Sequence, residues 1–281
     1  MRMNTEYFTN YWIGQEPTGP GHSPTLNQMP AYVDVAPLAF VGITDDDQLD
    51  FTFLTQQNSA ATIQGWIKTV RAQGTKVLLS INSQQFASIQ DPSGFAQAVQ
   101  SAITEWGVDG IDIDYEPPAQ SQTLITVVKQ LRTTLGSGVI LTAPVYSAWL
   151  GMLDFLGQFA GSLDYLTTMD YTGYPGFETT IEYFNQYAKA IGGPERLAIG
   201  ISCMGPSTSA NFTPLPDLIK LCQWEPSQGQ KQGAMLYTFS YDIKVRPIKN
   251  KPTSGTGYPD GTWTKTIHEN LPVASKVTAA S

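Results

Sequence analysis

Asp109-Gly110-Ile111-Asp112-Ile113-Asp114-Tyr115-Glu116 is the stretch on which the reading of this 281-residue chain turns. In an extended strand, residues two apart share a face. Asp112, Asp114 and Glu116 then line one side, and Ile111, Ile113 and Tyr115 line the other. An exposed acidic turn does not account for the isoleucines, which ask for burial. A hard-cation loop would spread its acids around a bend made by a glycine. A buried strand carrying three stacked carboxyls fits better. Such a stack is costly as mere structure, because like charges at that spacing cannot all ionise and protons are shared or retained. A general acid needs that environment. Glu116, at the solvent end, is expected to be held protonated by the charge beneath it and to donate to a leaving oxygen.

Working outward, short apolar runs rich in β-formers alternate with longer amphipathic stretches, the signature of βα units and a parallel sheet. Eight runs are found: Tyr7–Trp12, Val33–Gly42, Lys76–Ile81, Gly110–Tyr115, Val139–Val145, Leu163–Tyr171, Leu197–Ser202 and Ala234–Ser240. Helical candidates lie near 57–73, 93–106, 120–135, 148–160, 179–191, 214–223 and 262–270. In the second of these, Phe95, Val99, Ala102 and Ile103 recur at helical spacing behind the helix start Asp91-Pro92-Ser93. Eight βα units predict an α/β fold, a closed (β/α)8 (TIM) barrel, and the length suits one such domain. No Gly-rich phosphate loop follows the first run, which argues against a dinucleotide-binding sheet. Residues 1–272 read as a single catalytic barrel and 273–281 as a linker-like tail. Two Gly/Pro-rich connections, 13–32 and 243–261, follow the first and last runs, so both belong to the C-terminal face where barrel active sites are built.

Composition narrows the partners. A net charge of -8 argues against nucleic acid and anionic membranes. A neutral, hydroxyl-rich or amide-rich ligand remains compatible. Only two histidines, His22 and His268, and two cysteines, Cys203 and Cys222, are present. A histidine triad, a zinc site and a disulfide framework therefore lose support, and neither metal nor cofactor is expected. No apolar run is long enough to span a membrane. Met1–Glu6 carries no leader-like apolar core, so the expectation is a secreted, monomeric protein whose leader has been removed, with a cytoplasmic location as the alternative.

The octapeptide matches the DxxDxDxE signature of glycoside hydrolase family 18, the chitinases and related endo-N-acetylglucosaminidases, and it lies on the fourth β run, as in that family. Four acids in this pattern arise by chance in well under about 1 % of chains this size, so the match is specific. The resemblance covers roughly residues 5–271. It implies a substrate-assisted retaining mechanism, an exception to the two-carboxylate scheme. Glu116 would protonate the glycosidic oxygen, and the substrate's 2-acetamido oxygen would attack to give an oxazolinium intermediate. Asp114 would orient the acetamide, Asp112 would share a proton with Asp114, and Asp109 would support the strand.

Other positions are carried over from the same resemblance. Met169-Asp170-Tyr171 resembles the family's Met-x-Tyr segment, which makes Tyr171 the expected partner of the acetamide oxygen and Met169 a wall. Thr172 follows where Asp or Asn is frequent. Lys76–Ser83 resembles a segment ending Ser-x-Gly-Gly, with Ser80 matching and Asn82 and Ser83 in place of the glycines. Ala143-Pro144 fits the fifth-strand pattern loosely. Tyr237 stands where most chitinases have the tryptophan floor of the reacting sugar, a smaller ring with an added hydroxyl. Trp12, Tyr146, Trp149, Tyr174 and Phe177 fall at or after strand ends, where each serves equally well as sugar platform or packing. Trp224 and Trp263 read as packing. The short connection between the last two strands leaves no room for an α+β insertion, so a shallow groove and endo action are expected.

An endo-acting chitinase, working on chitin or chito-oligosaccharides, is the reading taken forward. An endo-β-N-acetylglucosaminidase cutting the chitobiose core of an N-glycan is the alternative, favoured by Tyr237 and Thr172. An inactive carbohydrate-binding relative is the third, and such proteins typically lose the acid that is present here as Glu116.

Overall fold

The computed structural model describes residues 3–9, 25–114, 116, 121–146, 153–204, 211–243 and 258–272. Trp12, Trp149, Tyr115, most of the two Gly/Pro-rich connections and the tail 273–281 lie outside them. Eight parallel strands form the centre: β1 (Met3–Glu6, continued by Phe8–Thr9), β2 (Val35–Ile43), β3 (Lys76–Asn82), β4 (Gly110–Asp114), β5 (Ile140–Val145), β6 (Tyr165–Thr168), β7 (Leu197–Ser202) and β8 (Gly233–Tyr237). Each pairs with its neighbour in order. The ring closes where β1 pairs both with β8 (Met3↔Gly233 to Glu6↔Leu236) and with β2 (Thr5↔Val35, Phe8↔Leu38). This is the closed (β/α)8 barrel.

Around it lie α1 (Ala60–Ala72), α2 (Pro92–Trp106), α3 (Gln122–Leu135), α4 (Leu153–Gly157), α5 (Phe177–Ile191), α6 (Leu215–Gln223) and α7 (Thr262–Asn270). Their boundaries follow from side chains in the sequence. Asp91 accepts from Ser93 N–H ahead of Pro92, and Gly107 closes α2 in the left-handed conformation. Ser121 caps α3 through Leu124 N–H, and α3 then buries Leu124, Val127, Val128 and Leu131 against the barrel. Ile111 and Ile113 of β4 face the same layer. Gly110 is required at the start of β4, since a Cβ there would sit 2.0 Å from the Ile140 carbonyl oxygen. Between β7 and β8 only α6 intervenes among the described residues.

Several boundaries differ from those read in the sequence. The first strand begins at Met3 rather than Tyr7, because Asn4 and Glu6, polar residues, face outward yet are buried. The sixth ends at Thr168, leaving Met169–Tyr171 beyond it. The eighth ends at Tyr237, and Thr238 caps a short helix, Phe239–Asp242. The stretch near 148–160 resolves, where described, into α4 and a short 3-10 turn, Ala160–Ser162.

Before β2, β4 and β6 an aspartate locks the barrel's lower rim. Asp34 accepts from Asn4 N–H at 2.8 Å, Asp109 from Val77 N–H at 3.0 Å, and Asp164 from Leu141 N–H at 2.7 Å. Asp109 also receives both arms of Arg71, at 2.9 and 3.0 Å. Desolvation alone would raise its pKa, but the Arg71 and Val77 hydrogen bonds outweigh it and hold the carboxyl below its ordinary value. Asp109 thus sits at the opposite end of β4 from Glu116. The two cysteines are separate, buried and free, and the Cys203 thiol donates to the Thr238 carbonyl. Trp224 packs edge-on against Phe184, and Trp263 is fully buried.

Candidate active site

The register of β3, β4 and β5 places Ser80, Asp112 and Thr142 side by side, one level above the barrel floor. Asp112 accepts three hydroxyl donors there: Thr142 on Oδ1 at 2.5 Å, and Tyr7 and Ser80 on Oδ2 at 2.6 and 2.8 Å. It is 1 % exposed, and burial pushes its pKa up while the three hydroxyls restrain the rise. Two residues on, Asp114 points the same way. Its pKa stands well above the ordinary carboxylate range, first through burial, then through the charges of Glu116 and Asp112. The hydroxyl donors favour charge on Asp112, so the proton of this pair rests on Asp114. Glu116, half-buried just past the strand end, is raised as well, and the cause is burial. The charge coupling between the Glu116 and Asp114 carboxyls is felt on Asp114, whose pKa it raises.

A cavity of about 180 Å³ opens above these carboxyls. Tyr171 and Tyr237 stack nearly parallel beside it, ring centroids 5.9 Å apart, and Tyr7 tilts against Tyr237 at the same distance. Burial first, then the neighbouring acids, push the Tyr171 hydroxyl well above its ordinary pKa, so it acts as a donor. Met169, Thr172, Phe40 and Pro144 complete the wall with Met204 and Asn211. Asn211 is oriented by accepting from Gly173 N–H at 2.9 Å. The peptide bonds Ala39–Phe40 and Tyr237–Thr238 beside the cavity are cis.

Of the residues singled out in the sequence, Glu116, Asp114, Tyr171, Tyr237, Met169 and Thr172 line this one cavity, and Asp112 supports it from below. Tyr146 packs against the apolar cluster of Tyr7, Met169 and Tyr171 at its edge. Tyr174 is elsewhere: its hydroxyl donates to Asp217 at 3.2 Å, and its ring packs into the outer core. Asn82 lines a neighbouring cavity instead. Sequence reading missed Tyr7, Thr142, Phe40 and Asn211 as site residues. Tyr7 and Thr142 become visible only once strand order is known, because they reach Asp112 across 105 and 30 residues. Among the described residues no group of three or more His, Cys, Asp or Glu side chains is placed to hold a metal ion. No described helix is long and apolar enough to cross a membrane.

The family model described as glycosyl hydrolases family 18 matches residues 7–265. A curated protein from Arthroderma benhamiae, named "Probable class II chitinase", is 29 % identical over 145 residues, which are 42 % of this chain and 44 % of that relative, less than half its length. A family 18 chitinase from Pseudoalteromonas aurantia superposes with a TM-score of 0.71 at 21 % identity, covering 96 % of this chain and all of that one. A family 18 chitinase from Chromobacterium violaceum gives 0.71 at 19 %, covering 96 % and 83 %. At those identities the structures speak for the fold.

Proposed function

Because the chain belongs to glycosyl hydrolase family 18, we propose that it is an endo-acting chitinase that cuts β-1,4 bonds between N-acetylglucosamine units by substrate-assisted retaining catalysis. The observation that carries this is the column Asp112–Asp114–Glu116, capped by a small cavity with Tyr171 and Tyr237 along its wall. Glu116, raised by burial, arrives protonated and gives its proton to the glycosidic oxygen as the C1–O bond breaks. The substrate's acetamido oxygen closes on C1. Asp114, sharing its proton with Asp112, accepts the acetamide N–H, and the Tyr171 hydroxyl donates to the acetamide oxygen and aligns it. Water then attacks C1, gives its proton to Glu116 and opens the oxazolinium with retention. An insoluble polymer is met outside the cell, so this function carries secretion with it.

One observation favours a second reading. Tyr237, in place of a larger floor, suits an enzyme that cuts the chitobiose core of N-glycans. Incubation with chitin hexasaccharide and, separately, with a high-mannose glycoprotein, read by mass spectrometry, separates the two. Release of short N-acetylglucosamine oligomers is expected; cleavage of the glycoprotein alone sinks the chitinase reading. Glu116→Gln is expected to lose nearly all turnover on whichever substrate is cut, and retained activity would overturn the acid assignment.

A further inference from the structure

Tyr7 and Tyr237, the tilted pair beside the catalytic cavity, are carried by two segments tied to each other outside it. The Tyr7 carbonyl oxygen accepts from the Thr238 hydroxyl at 2.6 Å and from Phe239 N–H at 3.0 Å. Tyr7 N–H donates in turn to the Leu236 carbonyl at 3.1 Å. Next to this seam two acids turn the other way. Glu6, beside Tyr7 in β1, and Asp242, at the end of the helix Phe239–Asp242, are both buried under the first turn of α7. They close on one residue. Thr264 gives its N–H to Asp242 Oδ2 at 2.7 Å and its hydroxyl to Glu6 Oε2 at 2.9 Å, while Trp263 N–H reaches Asp242 Oδ1 at 3.1 Å. Thr264 is itself fully buried, so α7 is clasped to both segments at a single point.

The clasp suits one charge. Asp242 takes two N–H groups at a helix N-terminus, where the helix dipole favours an anion. Burial raises its pKa, and those hydrogen bonds restrain the rise. Glu6 is pushed further, from 4.5 to about 8, first by burial and then by the charge of Asp242, with the Thr264 and Asn4 side chains restraining it. Glu6 is therefore the neutral member of the pair. The other titratable groups around them add no positive charge. Tyr32, ahead of β2, and Cys203, after β7, are themselves raised in part by Glu6, and Asp260 raises Asp242. His268 of α7 stacks on Tyr32 and lowers Asp34.

We propose that Glu6 is a positioning residue for the reaction: with Asp242 it clasps α7 onto β1 and the segment after β8, and so keeps Tyr7 on Asp112 and Tyr237 beside the cavity. This role rests on the function proposed above and deepens it, by giving the active form a second essential proton far from the reacting bond. An ionised Glu6 would set a second buried anion beside Asp242 and open the clasp. The active form thus carries a proton on Glu6 as well as on Glu116, and the former is lost as pH rises through about 8.

The test measures kcat and KM on chitin hexamer for wild type, Glu6→Gln and Glu6→Ala across pH, at a temperature where circular dichroism shows each folded. Hydrogen exchange at Tyr7 and Phe239, corrected for its intrinsic pH dependence, is followed on the same proteins. Between about pH 7 and about pH 9 wild type is expected to lose on the order of tenfold more kcat than Glu6→Gln, which stays neutral, with exchange rising in step. Glu6→Ala is expected to carry that loss already at about pH 6; should it not fold, wild type against Glu6→Gln decides. Parallel kcat profiles for wild type and Glu6→Gln, or wild-type kcat in Glu6→Ala, overturn the positioning role, while hydrolysis by wild type still supports the proposed function. If wild type cuts no oligomer, the chitinase reading falls by itself. Exchange then decides the clasp: faster in wild type than in Glu6→Gln above pH 8 upholds it, and equal rates overturn it.

Discussion

The division of labour between Asp112 and Asp114 can be tested by removing one hydroxyl. Tyr7→Phe keeps a ring that is 2 % exposed and packed against Tyr237, and takes away only the donor lying 2.6 Å from Asp112 Oδ2. A hydrogen bond to a charged group contributes roughly 1.5–3 kcal/mol and one to a neutral group roughly 0.5–1.5 kcal/mol. If Asp112 is the anion of the pair, the substitution costs about 1.5–3 kcal/mol of stability near neutral pH. The sign then follows. Burial raises the folded pKa of Asp112, and losing Tyr7 raises it further. The unfolded chain is common to both proteins, so the difference between them grows as pH rises through the folded pKa and shrinks to the neutral-bond level in acid. Denaturant unfolding followed by intrinsic fluorescence, from about pH 4 to pH 8, reads this directly. Ser80→Ala, which removes the second donor on the same oxygen, is expected to follow the same curve with a smaller amplitude, since Tyr7 remains. A Tyr7→Phe cost that does not change with pH would refute the argument: the resting proton would then be on Asp112, and Asp114 would be the charged member beneath Glu116.

Two further outcomes are expected. Glu6 is fully buried under α7, its Oε2 accepting from the Thr264 hydroxyl at 2.9 Å, and its pKa is raised from 4.5 to about 8, first by burial. The folded state binds this proton more tightly than the unfolded chain, so wild type loses stability between about pH 4.5 and 8. Glu6→Gln removes that loss, gaining up to an order of 5 kcal/mol above pH 8 and little in acid; a difference independent of pH in unfolding titrations would contradict it. Gly110→Ala is expected to abolish soluble folded protein or lower the melting temperature steeply, because its methyl would meet the Ile140 carbonyl oxygen at 2.0 Å; a melting curve like wild type's would show that β4 and β5 are not packed as described.

What was legible in the chain was whatever announces itself within one element. The carboxyl column on β4 is a period-two pattern in eight residues, and the glycines and caps that bound the helices are equally local. Register is not local. Thr142 and Tyr7 meet Asp112 only because β5 and β1 are brought to it, and nothing in those stretches taken singly distinguishes them from ordinary strand residues. Tyr174 illustrates the converse. Its place soon after a strand end suggested a platform, but a hydroxyl bond to Asp217 on α6 turns it away from the cavity.

Buried acids alone would have misled. Glu6 and Asp242 are as deeply buried as Asp112, and both are raised by desolvation. Yet Glu6 bonds the Thr264 hydroxyl and Asp242 the Trp263 and Thr264 N–H groups, all in α7 on the outside of the barrel. They tie an outer helix down, and neither is among the residues lining the cavity above Asp114 and Glu116. The β4 acids differ in direction rather than in charge: inward-facing residues of a barrel strand at successive levels must end at the C-terminal mouth, so the third carboxyl reaches solvent while the first cannot. The alternation of DIDYE therefore encodes a gradient as well as a face, from an anion held by three hydroxyls, through a neutral acid, to Glu116 at the surface. Moving the same three acids by one residue would point them at α3 and destroy both the core and the site, which is why the pattern on β4 constrains fold and chemistry together.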